Sequence, residues 1–217
     1  ASNYAMRAEG KAQNSITTNA GNPNGQLTLS VIGGANSTNV GISSVTNGGN
    51  LINYAEGVTV TASGGSGSAN TAMEIIQSAG ATGYLTNKIE NILGQVNLTA
   101  SGGTTALGMN AVGPANTIAR NTIVTATGVS ILAENGSTAN TGMSADGGSN
   151  VTNALTDIAG NVTVTASGTG ATNRGMSAAN DGRNSIDSDA AVTLVATNGT
   201  ENRAISAPAG GESYETA

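Results

Sequence analysis

Apolar and small polar residues alternate with period two in short runs that return from one end of the chain to the other. The clearest is Val162-Thr163-Val164-Thr165-Ala166-Ser167-Gly168. Its relatives are Leu27-Thr28-Leu29-Ser30, Val58-Thr59-Val60-Thr61-Ala62-Ser63, Val96-Asn97-Leu98-Thr99-Ala100-Ser101, Val129-Ser130-Ile131-Leu132-Ala133 and Val192-Thr193-Leu194-Val195-Ala196. Period-two alternation rich in β-branched residues and closed by Gly or Asn specifies a half-buried strand ending in a turn.

Two further markers recur in step with the first. A small residue followed by Met or Ile stands at Ala5-Met6, Gly41-Ile42, Ala72-Met73, Gly108-Met109, Gly142-Met143, Gly175-Met176 and Ala204-Ile205. An Asn two residues before Ile or Leu stands at Asn14, Asn50, Asn87, Asn116, Asn153 and Asn184. Successive markers lie about 33 residues apart, a solenoid period. Three short strands per period, separated by turns, make a triangular coil. The expected fold is therefore all-β: a right-handed parallel β-helix, or β-solenoid, of about six to seven coils of about 33 residues, forming one unit over residues 1–217. Its hand follows from the right-handed preference of crossovers between parallel strands. A lone coil leaves its strand amides unpaired, whereas stacked coils pair them above and below at about 4.8 Å.

Corners absorb the differences in length. Asn19–Gly25, Ala79–Tyr84 and Ala119–Val124 are expected to be corner insertions that leave the stacked strands undisturbed. The repeated Asn is expected to form a ladder of side-chain amides between coils.

Composition narrows the chemistry. Phe, Trp, Cys and His are absent, so no disulfide framework, thiolate metal site, Ser-His nucleophile or His-ligated metal is available. With a formal charge of −6 and only 9% charged residues, no basic surface exists to neutralise a phosphate backbone, and nucleic acid is excluded as a partner. No run of about 18 apolar residues appears, so this segment does not insert into a membrane as a helix. No leader segment opens the chain and its first residue is Ala1, which reads as a piece of a longer exported protein.

Three places could carry function. Thr59, Thr61, Thr163 and Thr165, with Thr28, Thr99 and Thr193, form an outward column of hydroxyls and methyls similar to the ice-contacting face of β-solenoid antifreeze proteins, although Asn97, Ser130, Leu132 and Val195 interrupt it. Asp181, Asp187 and Asp189 are the one local acid cluster, either solvated turn residues or a Ca²⁺ or carbohydrate-cleaving site. Ser63-Gly64-Gly65-Ser66-Gly67-Ser68 lacks the lysine and helix of a phosphate loop. No residue is assigned a catalytic, cofactor-binding or metal role, and no cofactor is expected.

The run Gly142-Met143-Ser144-Ala145-Asp146-Gly147-Gly148-Ser149-Asn150, leading to Asn161-Val162-Thr163-Val164-Thr165-Ala166-Ser167-Gly168, resembles passenger-domain repeats of Gram-negative autotransporter adhesins, and Gly175-Met176-Ser177-Ala178 through Leu194 repeats it. The resemblance spans about Ala5 to Ala207 and implies a secreted β-helical passenger on the outer-membrane surface, anchored by a C-terminal barrel. The expected function is a non-enzymatic structural and adhesive stalk. A carbohydrate-binding or carbohydrate-cleaving β-helix and an ice-binding solenoid are the alternatives. A host receptor or a glycan is the expected partner, and exposed end coils are expected to favour end-to-end self-association. Far-ultraviolet circular dichroism of the isolated chain should be strand-dominated with negligible helix; a helical spectrum would refute the fold.

Overall fold

The computed structural model describes residues 1–10, 12–17, 25–46, 48–77, 84–114, 117–147, 151–180, 182–207 and 212–216. Among them every regular element is a strand. In chain order these are β1 (Ser2–Glu9), β2 (Gln13–Thr17), β3 (Gln26–Gly33), β4 (Thr38–Val45), β5 (Gly49–Asn53), β6 (Gly57–Gly64), β7 (Ala69–Ile76), β8 (Tyr84–Glu90), β9 (Gln95–Ser101) and β10 (Thr105–Val112). There follow β11 (Ile118–Ala126), β12 (Gly128–Glu134), β13 (Ala139–Asp146), β14 (Thr152–Ile158), β15 (Val162–Ser167), β16 (Thr172–Ala178), β17 (Arg183–Ser188), β18 (Val192–Thr197), β19 (Glu201–Ser206) and β20 (Glu212–Thr216).

Every third strand pairs in parallel. Sheet 1 has the order β1-β4-β7-β10-β13-β16-β19, sheet 2 the order β2-β5-β8-β11-β14-β17-β20, and sheet 3 the order β3-β6-β9-β12-β15-β18. The chain visits the three sheets in turn and climbs one coil per circuit, a β-solenoid of about six turns.

Register stacks like on like. Val58, Val96, Val129 and Val162 form one inward file of sheet 3, and Val60, Leu98, Ile131 and Val164 form the next. Met73, Met109, Met143 and Met176 make the file of sheet 1. Ile52, Ile89, Ile123, Leu155 and Ile186 make that of sheet 2. All belong to one dry core. Rings are not needed here, because three walls this close are filled by aliphatic side chains alone.

Sheet 1 owes its shape to the small residue before the Met. Pairing there skips one position on both strands, from Val40↔Thr71 to Ile42↔Met73 and from Thr141↔Arg174 to Met143↔Met176, with the register kept. Gly41 and Ile42 both face the core, so the in-out alternation breaks at this position. A Cβ at Gly41, Gly108 or Gly142 would run into the branches of Val60, Ile131 or Val164 and into the carbonyl of the paired residue in the next coil, so these three positions require Gly. The corner between sheets 2 and 3 has its own column: Tyr54, Asn91, Thr125 and Asp157 take φ of 57°, 56°, 59° and 54°. Non-glycine residues persist in this region because the surrounding stack holds them. The Tyr54 and Asn91 amides, for example, donate to Glu90 O and Val124 O of the next coil at 3.3 and 3.0 Å.

Two asparagine ladders run inside the walls. In sheet 2, Nδ2 of Asn14, Asn50, Asn87, Asn121 and Asn153 donates to Oδ1 of Asn50, Asn87, Asn121, Asn153 and Asn184 in turn, at 2.8, 2.7, 2.8, 2.9 and 2.9 Å. Each amide also donates to a sheet 1 carbonyl in the following coil, at Ser43, Glu74, Asn110, Ser144, Ser177 and Ser206. Every rung is thus tied to the next within its sheet and across a corner.

Asn121 occupies the rung that the sequence pattern assigned to Asn116, which lies outside the described residues. Both Asn116-Thr117-Ile118 and Asn121-Thr122-Ile123 satisfy the pattern, but Ile123, not Ile118, pairs with Ile89 and Leu155. For the same reason Ala119–Val124 is not a corner insertion; those residues lie within β11. Of the other two expected insertions, residues 19–24 and 79–83 lie outside the described residues, and Tyr84 opens β8.

The second ladder, in sheet 1, was not anticipated. Asn3 donates to Asn39 and Asn39 to Asn70, each at 2.8 Å. Asn140 then donates to Asn173 at 2.8 Å and Asn173 to Asn202 at 3.0 Å. Ala106 fills the rung between Asn70 and Asn140 and packs on Ala100 and Ala133. Asn70 turns its amide to the Ser101 and Gly102 carbonyls, both at 2.9 Å. Asn121→Ala should lower stability by roughly 1–3 kcal/mol, because it strands the Asn87 amide, the Asn153 oxygen and the Ser144 carbonyl in a dry wall. The denaturant midpoint measures this; an unchanged midpoint would deny the ladder its role.

Candidate functional site

The outer face of sheet 3 carries the threonines. One file reads Thr28, Thr59, Asn97, Ser130, Thr163, Thr193, and the next reads Ser30, Thr61, Thr99, Leu132, Thr165, Val195. Both are interrupted where sequence reading placed the breaks. Beside them Ile32 is 78% exposed at the rim.

The acids do not converge. Asp187 in β17 and Asp189 just beyond it are both exposed, and the Asp189 backbone amide continues the stack by donating to Ile158 O at 2.9 Å. Asp181 lies outside the described residues. Among the described residues, no three Asp or Glu side chains gather as a metal site would require.

The most developed surface feature lies on sheet 1, where sequence reading placed nothing. On the outer side, the two files that flank this break in alternation run side by side along a shallow trough, which deepens into a depression at the last coils. One wall is the file Tyr4, Val40, Thr71, Leu107, Thr141, Arg174, Arg203. The opposite wall is Arg7, Ser43, Glu74, Asn110, Ser144, Ser177, Ser206. Val40, Ser43, Thr71, Asn110 and Thr141 are buried, although none belongs to the dry core. A hydroxyl or amide therefore recurs along the trough at the coil spacing of about 4.8 Å. The only hint in the sequence is the small polar residue after most of the Met markers.

Charge is confined to particular coils of the trough. Near its start, Arg7 lies over the Tyr4 ring at 4.5 Å and pairs with Glu9 at 2.6 Å. Glu74 sits further along, accepting from Ser43 Oγ at 3.2 Å. Burial pushes the Glu74 carboxyl above the usual carboxylate range, against the lowering effects of the Ser43 hydroxyl and the Arg7 charge. Toward the last coils, Arg174, Ser177, Ala179, Arg203, Ser206 and Ala207 line a shallow depression of about 220 Å³.

Comparison with family models, curated proteins and solved structures finds no match. The surface is therefore read from its own geometry: two outward files of mostly polar residues, ending in a shallow depression at Arg174, Ser177, Arg203 and Ser206.

A raised carboxyl pKa in the fold means that the native state holds its proton where the unfolded chain has lost it. Stability then falls as pH rises from the ordinary carboxylate value through the folded one. Glu74→Gln should be more stable than the parent chain at neutral pH, with the difference vanishing in acid. Midpoints measured across that range test this, and equal midpoints at neutral pH would contradict it.

Proposed function

We propose that this chain is a non-enzymatic structural and adhesive stalk, part of an autotransporter-like protein exported to the Gram-negative cell surface. The observation that carries the reading is the coil-to-coil asparagine ladder of sheet 2, in which each rung makes the same pair of bonds to the next from Asn14 to Asn184. A wall that repeats its own bonding extends by simple addition of coils. The product is a rod that holds surface groups away from an anchor. The ladder asparagines inside the walls are committed to that stapling, while the depression at the last coils leaves Arg174, Ser177, Arg203 and Ser206 at the surface to hold a ligand.

Fold by itself does not assign a function, so the test must read adhesion directly. Beads coated with the full chain should bind host-cell or extracellular-matrix surfaces saturably and well above beads coated with an unrelated β-solenoid. Incubation with plant and bacterial polysaccharides should leave their chain lengths unchanged. Binding no better than the control beads, or shortening of a polysaccharide, would overturn the stalk reading.

A further inference from the structure

Arg174 and Arg203 occupy directly opposed positions on neighbouring strands of the trough. Like charges so placed repel, and the other residues of this file, Tyr4, Val40, Thr71, Leu107 and Thr141, carry none. Glu201 lies beside both, 2.8 Å from Arg203 Nε and 3.6 Å from an Arg174 terminal nitrogen. Among the described residues, one carboxylate faces two guanidinium groups and leaves one positive charge over, on a chain whose formal charge is −6. The arginine side chains are 37% and 56% exposed, so their terminal nitrogens stay within reach of a ligand, whereas Arg174 Nε is buried.

What surrounds that charge defines the ligand. The Ser177 and Ser206 hydroxyls stand on the facing wall, and Ala179 and Ala207 supply small apolar surface in the same depression. Guanidinium groups recognise carboxylates through paired, directional hydrogen bonds. Serine hydroxyls can donate to and accept from ring hydroxyls, and methyl groups suit the C–H face of a sugar ring. The depression has no deep apolar recess that would select a peptide side chain. It also opens lengthwise into the remainder of the trough, where Ser144 and Asn110 continue the polar wall.

We propose that the trough at Arg174, Ser177, Arg203 and Ser206 is a binding site for a carboxylated sugar of an acidic polysaccharide. Its carboxylate lies between the two arginines and takes Glu201's place against at least one of them. The proposal rests on the adhesive reading, for which it names a ligand class.

Calorimetric titration of the full chain with trigalacturonate tests it, with neutral galactotriose, triglutamate and inorganic sulfate as comparison ligands. Trigalacturonate should bind, and each comparison ligand should bind about tenfold more weakly or worse. Arg174→Ala and Arg203→Ala should each weaken trigalacturonate about tenfold, whereas Glu201→Gln should tighten it by removing the competing carboxylate. Circular dichroism and denaturant midpoints establish that the variants remain folded, and the opposite signs expected for the arginine and glutamate variants separate recognition from a general loss of structure. Absence of binding, equal binding of galactotriose, triglutamate or sulfate, or indifference to the arginine and glutamate variants would overturn the site. Bead adhesion by the parent chain is read separately: adhesion that survives Arg174→Ala and Arg203→Ala would remove this site and leave the stalk standing.

Discussion

A thin protein has few places to hide a polar group, and this one places asparagine in two of its walls. A buried amide without partners costs on the order of 1–3 kcal/mol, so the arrangement is tolerable only if each amide meets another at the right height. Stacking supplies that height automatically, because the coil spacing of about 4.8 Å lets a carboxamide reach from one Asn to the next while its second hydrogen meets a carbonyl across the corner. The ladders therefore convert a potential penalty into a device that sets register. A one-residue slip would strand a whole file of amides at once. Ala106 shows how a single interruption is accommodated: the neighbouring Asn70 amide finds backbone carbonyls, and small apolar groups close the gap.

The same stacking explains why so poor a supply of large side chains is enough. Three sheets close around a core only a few side chains wide, so Val, Ile, Leu and Met reach across it, and residues that would be too small for a globular interior are fully enclosed here. At Gly41, Gly108 and Gly142 the backbone of sheet 1 lies against Val60, Ile131 and Val164 of sheet 3, too close for a Cβ. The trough runs along the outer side of the same positions. A side chain added at these glycines would push against sheet 3.

Electrostatics divides the trough along its length. Most coils contribute neutral hydroxyls and amides. Glu74, Arg7 and the Arg174–Arg203 pair stand at separate heights, and each leans on a local partner: Ser43, Glu9 with the Tyr4 ring, and Glu201 respectively. A uniform shaft therefore carries distinct charged groups at distinct coils, each set directly on a strand. The outer face of sheet 3 is different in kind, since its threonines follow from strand preference and its files are broken by Leu132, Val195 and Asn97.

The alternation of Val, Leu and Thr, the spacing of the Met markers and the repeated Asn were enough to establish strands, period, parallel stacking and the inward file of Val58, Val96, Val129 and Val162. These are periodic properties, and periodicity is written in one dimension. Whether Asn116 or Asn121 forms the fourth rung was not settled by pattern, because both are followed by Thr and Ile; only pairing with strands far away in sequence selects between them. The ladder through Asn39, Asn70, Asn140 and Asn173 was equally present in the letters, three residues before each Met or Ile, yet without knowledge of which side of the wall those positions face it carried no meaning. The trough belongs wholly to three dimensions: it runs where sheet 1 breaks its alternation, and it brings Arg174, Ser177, Arg203 and Ser206 to one depression from two successive coils.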